Sequence, residues 1–227
     1  MTERVDLFDG RVTLYRGDSL GLVDVLAADA VITDPPYGIN WKPRVNHQDQ
    51  AWVDDVQFDP GPWLGIGRYH LFWGAQYFAR HLPHSEGWLT WVKRPVNADF
   101  SNDLRSYATT ELAWRDWGKA RFICHVWDGG KRAGAAGNRT FCHPSQKPIE
   151  VMDWCVRQVP TDAKTILDPF MGSGTTGVAA VKCGRKFIGI EIDERYFQIA
   201  CRRIDEVSKQ ADLFVAPPPK PTQGAFL

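Results

Sequence analysis

The stretch Thr165-Ile-Leu-Asp168-Pro-Phe170-Met-Gly172-Ser-Gly174-Thr-Thr-Gly177, continuing to Ile188-Gly-Ile-Glu191-Ile-Asp193, leaves this chain few ways to fold. A short apolar run ends in an acid and passes into a glycine-rich turn. A helix-compatible segment from Val178 to Cys183 follows, closed by Gly184, and a second apolar run from Phe187 to Ile192 ends in acids. Strand-length apolar runs on either side of a helical one predict a β-α-β unit. Glycines at its first turn mark a loop that a ligand can approach at the backbone.

Gly172 to Gly177 spells G-x-G-x-x-G, and Glu191 stands at a distance that suits ribose hydroxyls, so a nicotinamide dinucleotide is one reading. Asp168 weighs against it. A pyrophosphate belongs at the positive N-terminus of a helix, and a carboxylate beside it repels that charge. A ligand with a cationic centre and only a small carboxylate is drawn to such an acid instead. S-adenosylmethionine, with its sulfonium, amine, carboxylate, ribose and adenine, is such a ligand. An ordinary glycine-rich strand-to-helix turn remains the plainest alternative for this stretch taken alone.

A length of 227 residues with 44% hydrophobic content suits one α/β domain with insertions rather than two domains. The cysteines (Cys124, Cys142, Cys155, Cys183, Cys201) form no C-x-x-C pair, so neither a metal site nor a disulfide framework is expected. The opening residues carry no apolar signal segment and no apolar run reaches membrane-spanning length; a soluble cytoplasmic protein is expected. Formal net charge is zero, yet the charge is segregated. Residues 1–60 hold five Lys/Arg against eleven Asp/Glu, whereas residues 115–147 hold seven against two. The second segment offers phosphates a local basic face.

Ala30-Val-Ile-Thr-Asp34-Pro35-Pro36-Tyr37-Gly38 reads as a buried strand ending in an acid, two prolines and an aromatic. In a chain of this length Asp-Pro-Pro-Tyr arises by chance on the order of once in a thousand, which makes it a strong signal at a strand end. The exocyclic amino group of a nucleobase is a poor nucleophile because its lone pair is delocalised into the ring. The carboxylate of Asp34 and the carbonyl of Pro35 form an acceptor pair that can take both amino hydrogens and push the nitrogen towards a tetrahedral form. The prolines fix φ and hold the acceptors rigidly. Tyr37 offers a face on which an extruded base can stack. A rigid turn alone would leave the acid and the aromatic without a role.

Asp34-Pro-Pro-Tyr37 together with Asp168-Pro-Phe-Met-Gly-Ser-Gly174 resembles the S-adenosylmethionine-dependent DNA amino-methyltransferases, which act on adenine or on the 4-amino group of cytosine. The catalytic tetrapeptide precedes the cofactor loop, as in the permuted beta group of that family. Gly17-Asp18 resembles the segment whose acid reaches the adenine end of the cofactor. Glu111-Leu-Ala-Trp114 resembles the strand beside the target pocket, and His143-Pro-Ser-Gln-Lys147-Pro148 the box at the methionine end. The resemblance runs from about Val12 to Val207 and implies a Rossmann-like fold with circularly permuted motif order. That fold is a mostly parallel seven-stranded sheet with helices on both faces.

It also implies roles. Asp34, Pro35, Pro36 and Tyr37 would be catalytic. Asp18, His143, Ser145, Lys147, Asp168, Phe170, Gly172, Gly174, Thr175 and Glu191 would bind the cofactor. The substrate would be double-stranded DNA and no metal is implied; a homodimer is expected because beta-group relatives commonly pair. An Asp at the head of the tetrapeptide favours adenine, since cytosine-directed relatives more often carry Ser. Relatives acting on protein glutamine or RNA can use Asn-Pro-Pro-Tyr, usually with the cofactor loop first in the chain. From the residues alone, Asp18 is as readily a helix cap, and Lys147 a first-turn surface lysine.

The remaining elements fill in around these. Val5 to Tyr15 reads as a hairpin turning at Asp9-Gly10, and Asp18-Ser19 starts a helix through Leu20, Val23 and Leu26. Residues 41–67 are predicted to be a mobile loop, closing over substrate or simply a surface excursion. Tyr69 to Trp73 and Gly87 to Lys93 read as strands, and Ala75 to His81 as a short helix. Lys93, Arg94 and Asn97 leave the second strand on the side where a flipped base would sit, but read first as a solvated basic turn. Residues 118–142 are predicted to form a short basic insert, disordered without DNA, in which Lys131, Arg132 and Arg139 contact phosphates. Helices follow at Ile149 to about Pro160 and from Asp193 or Glu194 to Lys209. The methyltransferase domain is thus expected over residues 1–212, with a Pro-rich tail at 213–227.

Overall fold

The computed structural model describes residues 2–39, 56–95, 108–126 and 146–212. In chain order the strands are β1 (Glu3–Leu7), β2 (Val12–Arg16), β3 (Ala30–Thr33), β4 (Tyr69–Trp73), β5 (Gly87–Val92), β6 (Thr110–Arg115), β7 (Arg121–Cys124), β8 (Thr165–Asp168) and β9 (Lys186–Glu191). The helices are α1 (Gly61–Leu64), α2 (Ile149–Gln158), α3 (Thr175–Lys182) and α4 (Glu194–Asp212). All nine strands join one sheet in the order β1-β2-β9-β8-β3-β4-β6-β5-β7.

The sheet is mostly parallel, as the β-α-β reading requires. Strands β2, β9, β8, β3 and β4 run side by side in one direction. β6 is antiparallel to both neighbours, and β7 runs parallel to β5. Among the described residues the expected seven strands are corrected to nine, because each edge of the sheet carries one more. At one edge β1 folds back antiparallel on β2, from Glu3 opposite Arg16 to Leu7 opposite Val12. The turn between them uses three successive positive φ angles, at Phe8 (61°), Asp9 (50°) and Gly10 (76°). At the other edge β7 lies along β5, Leu89 opposite Arg121 through Val92 opposite Cys124. Part of the basic insert expected at 118–142 is therefore a strand.

Alternation along the strands divides the core into two layers, since successive side chains leave a strand on opposite faces. Ala30, Ile32, Leu71, Trp73, Ile166 and Phe187 pack on one face with α2, α3 and α4, through Val151, Met152, Val156, Val178, Phe197, Ala200 and Ile204. Val31, Phe72, Leu167 and Ile190 pack on the other face with Phe58, Trp63, Ile66 and Phe78. Among the described residues, the second face is covered by α1 and short 3-10 turns rather than by long helices. The helix expected after Asp18 is the 3-10 turn Leu20–Val25, and the one expected at 75–81 is a pair of such turns, Ala75–Tyr77 and Ala79–His81. Gly21 and the β-branched Val23 and Val25 disfavour a full α-helix in the first of these.

Candidate active site

Strands β3 and β8 are parallel neighbours, Ala30 opposite Ile166 and Val31 opposite Leu167. Their carboxyl ends therefore deliver Asp34 and Asp168 side by side, although the two lie far apart in the chain. Ligands of open α/β sheets bind at such strand ends. The Thr33 hydroxyl donates to Asp168 Oδ1 at 2.7 Å and ties the two loops together.

Asp168 is 2% exposed. Besides Thr33, it accepts from the Thr176 hydroxyl at 2.5 Å on Oδ2 and from the Phe170 backbone N–H at 3.1 Å on Oδ1. Burial pushes its carboxyl up to about 6, against those three donors. Asp168 is thus first the organiser of the β8–α3 turn. Gly172 and Gly174 take the left-handed conformation there, φ 52° and 81°. A Cβ at Gly174 would press on Ala200, and one at Gly177 would overlap Ile204 and Phe187. These two glycines let α3 lie close against α4 and β9. The Phe170 ring packs edge-on to Phe58 and Trp63, and Thr175 is buried.

At the end of β9, Glu191 accepts the Gly172 N–H at 2.9 Å and the Asp193 N–H at 2.8 Å. Burial raises its carboxyl to about 7. β2 ends beside it, with Gly17 N–H bonded to the Glu191 carbonyl at 3.0 Å; the next residue, Asp18, caps the Leu20 N–H at 3.0 Å. Ile192 is exposed next to Glu191. The donor set fits a ligand with a cationic centre, hydroxyls and a flat apolar ring: two carboxylates, a backbone turn and an exposed aliphatic face.

On the other side of Thr33 lies a cluster of charges. Lys147 Nζ stands 2.5 Å from Asp34 Oδ2 and 3.1 Å from Glu111 Oε2. Lys93 Nζ holds the second oxygen of Glu111 at 2.5 Å. The Tyr37 hydroxyl donates to Asp34 Oδ1 at 2.5 Å, and Lys147 reaches that hydroxyl at 3.3 Å. The ammonium also lies 4.9 Å from the centre of the Trp73 ring. Burial pushes the Asp34 carboxyl up and Lys147 counters it. Burial would raise Glu111 too, but Lys147 and Lys93 outweigh it and bring that carboxyl down to about 2. Lys147 is buried yet raised, because Asp34 and Glu111 outweigh its own burial.

Tyr37 shows one ring face to Tyr77, centroids 5.2 Å apart and planes 24° apart. Gly74, at φ 68°, makes this seat: a Cβ there would overlap the Tyr37 ring. Gln146, preceding Lys147, receives the Ser173 hydroxyl at 3.3 Å, which brings the Lys147 segment against the glycine loop.

Most of the expected residues therefore converge. Asp34 to Tyr37 and Lys147 form one group; Asp168, Phe170, Gly172, Gly174, Thr175 and Glu191 form the adjoining one, with Asp18 at its edge. His143, Ser145, Lys131, Arg132 and Arg139 lie outside the described residues, as do most of the loop 41–67 and the tail 213–227. Lys147 is placed against Asp34 rather than on the surface. Lys93 and Arg94 are not a solvated turn: Lys93 pairs with Glu111 and Arg94 is 5% exposed. No sequence pattern places Gly74 or Tyr77 at the site, Lys93 enters only as one end of a strand beside a flipped base, and Glu111 only through the strand beside the target pocket. Lys93 and Glu111 could have been found by pairing the two strands, since Lys93 N–H bonds the Thr109 carbonyl at 2.9 Å.

The model of the DNA methylase family matches residues 93–202. A type II methyltransferase of Streptomyces caespitosus, M.ScaI, is 30% identical over 253 aligned positions, covering 86% of this chain and 81% of that protein. M2.LlaDCHI, a type II methyltransferase of Lactococcus lactis subsp. cremoris, is 34% identical over 132 positions, 56% of this chain but only 45% of that protein. The crystal structure of an M1.HpyAVI–SAM complex superposes with a TM-score of 0.55 over 85% of this chain and 99% of that one, at 24% identity, and shows the same fold.

Proposed function

The chain belongs to the N6/N4 family of S-adenosylmethionine-dependent DNA amino-methyltransferases, and from that premise we propose that it methylates the 6-amino group of an adenine flipped out of duplex DNA. The observation that carries this reading is the juxtaposition of Asp34 and Asp168 at the ends of adjacent strands, locked by Thr33. It supports an amino-group acceptor site and a cation-binding loop facing one reaction space.

S-adenosylmethionine supplies an electrophilic methyl carbon on a sulfonium. The residues of this chain do the rest. Asp34 and the Pro35 carbonyl receive the amino hydrogens and direct the nitrogen lone pair. The sulfonium would give up its methyl group with the bonding pair kept on sulfur, and the amino nitrogen that gains the methyl must lose one N–H proton. Asp34 is the acceptor in reach of it. Tyr37, buttressed by Tyr77, stacks the base.

Asp168, Phe170, Gly172, Gly174 and Thr175 would form the cofactor loop, Glu191 would take the ribose, Asp18 the adenine end, and His143 and Ser145 the methionine end. Lys131, Arg132 and Arg139 would contact DNA phosphates, and two copies would pair. Adenine rests on Asp34 standing at the head of the tetrapeptide. Incubation with S-adenosylmethionine and unmethylated duplex DNA, followed by digestion and mass spectrometry of the nucleosides, tests the choice. 6-Methyladenine is expected, and 4-methylcytosine in its place would overturn adenine as the target.

A further inference from the structure

The charge cluster behind Asp34 has no assigned part in this chemistry. Lys147 precedes α2, Glu111 is on β6 and Lys93 follows β5, so three separate elements send charged groups to one buried point. Side-chain exposures of 6% for Lys147 and 23% and 26% for Asp34 and Glu111 place it away from bulk water. Buried charges cost several kcal/mol each unless paired, and here each carboxylate is paired with at least one ammonium. Here the pairing is asymmetric. Glu111 is clamped on both oxygens by ammonium groups, whereas Asp34 shares one ammonium and one phenol.

We propose that Lys147 and Glu111 are positioning residues for methyl transfer: Lys147, steadied by Glu111 and Lys93, holds the Asp34 carboxylate ionised and oriented for the target amino group. The inference rests on the function proposed above, and it moves Lys147 from the methionine end of the cofactor to the base side of the site. Two contacts fix the geometry. The Tyr37 hydroxyl occupies Oδ1 and Lys147 occupies Oδ2, so the carboxylate cannot rotate without breaking one of them. Glu111 shares the same ammonium at 3.1 Å, so Lys147 bridges the two carboxylates and is held on the side away from Asp34 as well.

Among the described residues, the charged and titratable groups around Asp34 come from several elements. Lys147 and Tyr37 touch it; Glu111 and Lys93 stand behind Lys147; Tyr77 lies on Tyr37; Asp168 ends the neighbouring strand; and Cys155 of α2 faces Lys147. Lys147 lowers the Asp34 carboxyl and Glu111, a like charge, raises it. Substituting the two therefore moves Asp34 in opposite directions, which a packing role would not do.

The test is a carboxyl-carbon NMR titration of Asp34 in the free protein, the resonance assigned by its loss in Asp34→Asn. Lys147→Met should move the titration upward by about one pH unit or more, Glu111→Gln should move it downward, and Lys147→Arg should stay near wild type. In turnover, Lys147→Met should lower kcat at least about tenfold and shift the acid limb of the pH profile the same way. S-adenosylmethionine should bind it without DNA as it binds wild type. An Asp34 titration that Lys147→Met leaves unmoved, or that both substitutions move in one direction, overturns the inference, as does loss of S-adenosylmethionine binding with Asp34 unmoved. Should Lys147→Met fail to fold, Glu111→Gln decides alone, and an unchanged or upward titration is the contrary result. A wild-type protein that methylates no base would remove the proposed function, while the titration would still judge the pairing.

Discussion

At Asp168 and Glu191 the protein buries two carboxyls at its ligand loop and raises them, by burial, to about 6 and about 7. Their ordinary values are 3.8 and 4.5, so between those values and the raised ones the folded chain binds more protons than the unfolded one. This contribution to stability is complete below the ordinary values and is lost as pH rises through about 6 and about 7. For Asp168 it amounts to on the order of 3 kcal/mol. The free protein should therefore show a Tm that falls by roughly 5–10 °C between pH 5 and pH 8, and Asp168→Asn should flatten that slope. A Tm rising across the same interval would contradict it. Residues such as Asp34, Tyr37 and Asp168 are legible in the sequence because each sits within a few positions of the glycines, prolines or strand that give it meaning. The pairing of Glu111 with Lys93 is not, because only the register of β5 on β6 brings the two together, and Lys147, the second ammonium on Glu111, arrives from a distant part of the chain.

Among the elements, the glycine loop and its helix are the most constrained. Gly174 combines φ 81° with a Cβ position pressed on Ala200, so Gly174→Ala should cost about 1–3 kcal/mol, seen as a Tm lower by roughly 2–10 °C. It should also weaken S-adenosylmethionine binding measured by calorimetry. Gly74→Ala acts elsewhere, displacing the Tyr37 ring from its seat against Tyr77. That variant should keep its affinity for S-adenosylmethionine and lose about 10- to 100-fold in kcat. Equal loss of both would mean that the two halves of the site are not separable. Strands β4, β5 and β9 and helices α2 and α4 match their sequence patterns closely, since apolar period and length agree in each. The 3-10 turns after Asp18 and Gly74 resemble helices in sequence because apolar spacing alone does not distinguish the two. β7 is hidden because its residues, Arg121-Phe-Ile-Cys, are half exposed at an edge and lie in a basic, glycine-rich neighbourhood.

Over the whole molecule, charge is segregated while the sum is zero. The acidic first quarter supplies Asp18 and Asp34, and the basic excess falls between residues 115 and 147. Replacing Lys131, Arg132 and Arg139 together by Ala should weaken duplex binding and reduce the slope of log affinity against log salt by about 2–3, roughly one for each phosphate that is no longer neutralised. An unchanged slope would place the DNA elsewhere on the surface. The central claim is that Asp34 performs chemistry at a site whose cofactor loop is a separate, intact structure. Transfer of a labelled methyl group from S-adenosylmethionine to duplex DNA, compared between wild type and Asp34→Ala with cofactor binding measured on both, tests it most directly. Labelled DNA should form with the wild type and fall at least about 100-fold in the variant, while cofactor affinity is retained. Equal transfer by the two proteins would contradict the account.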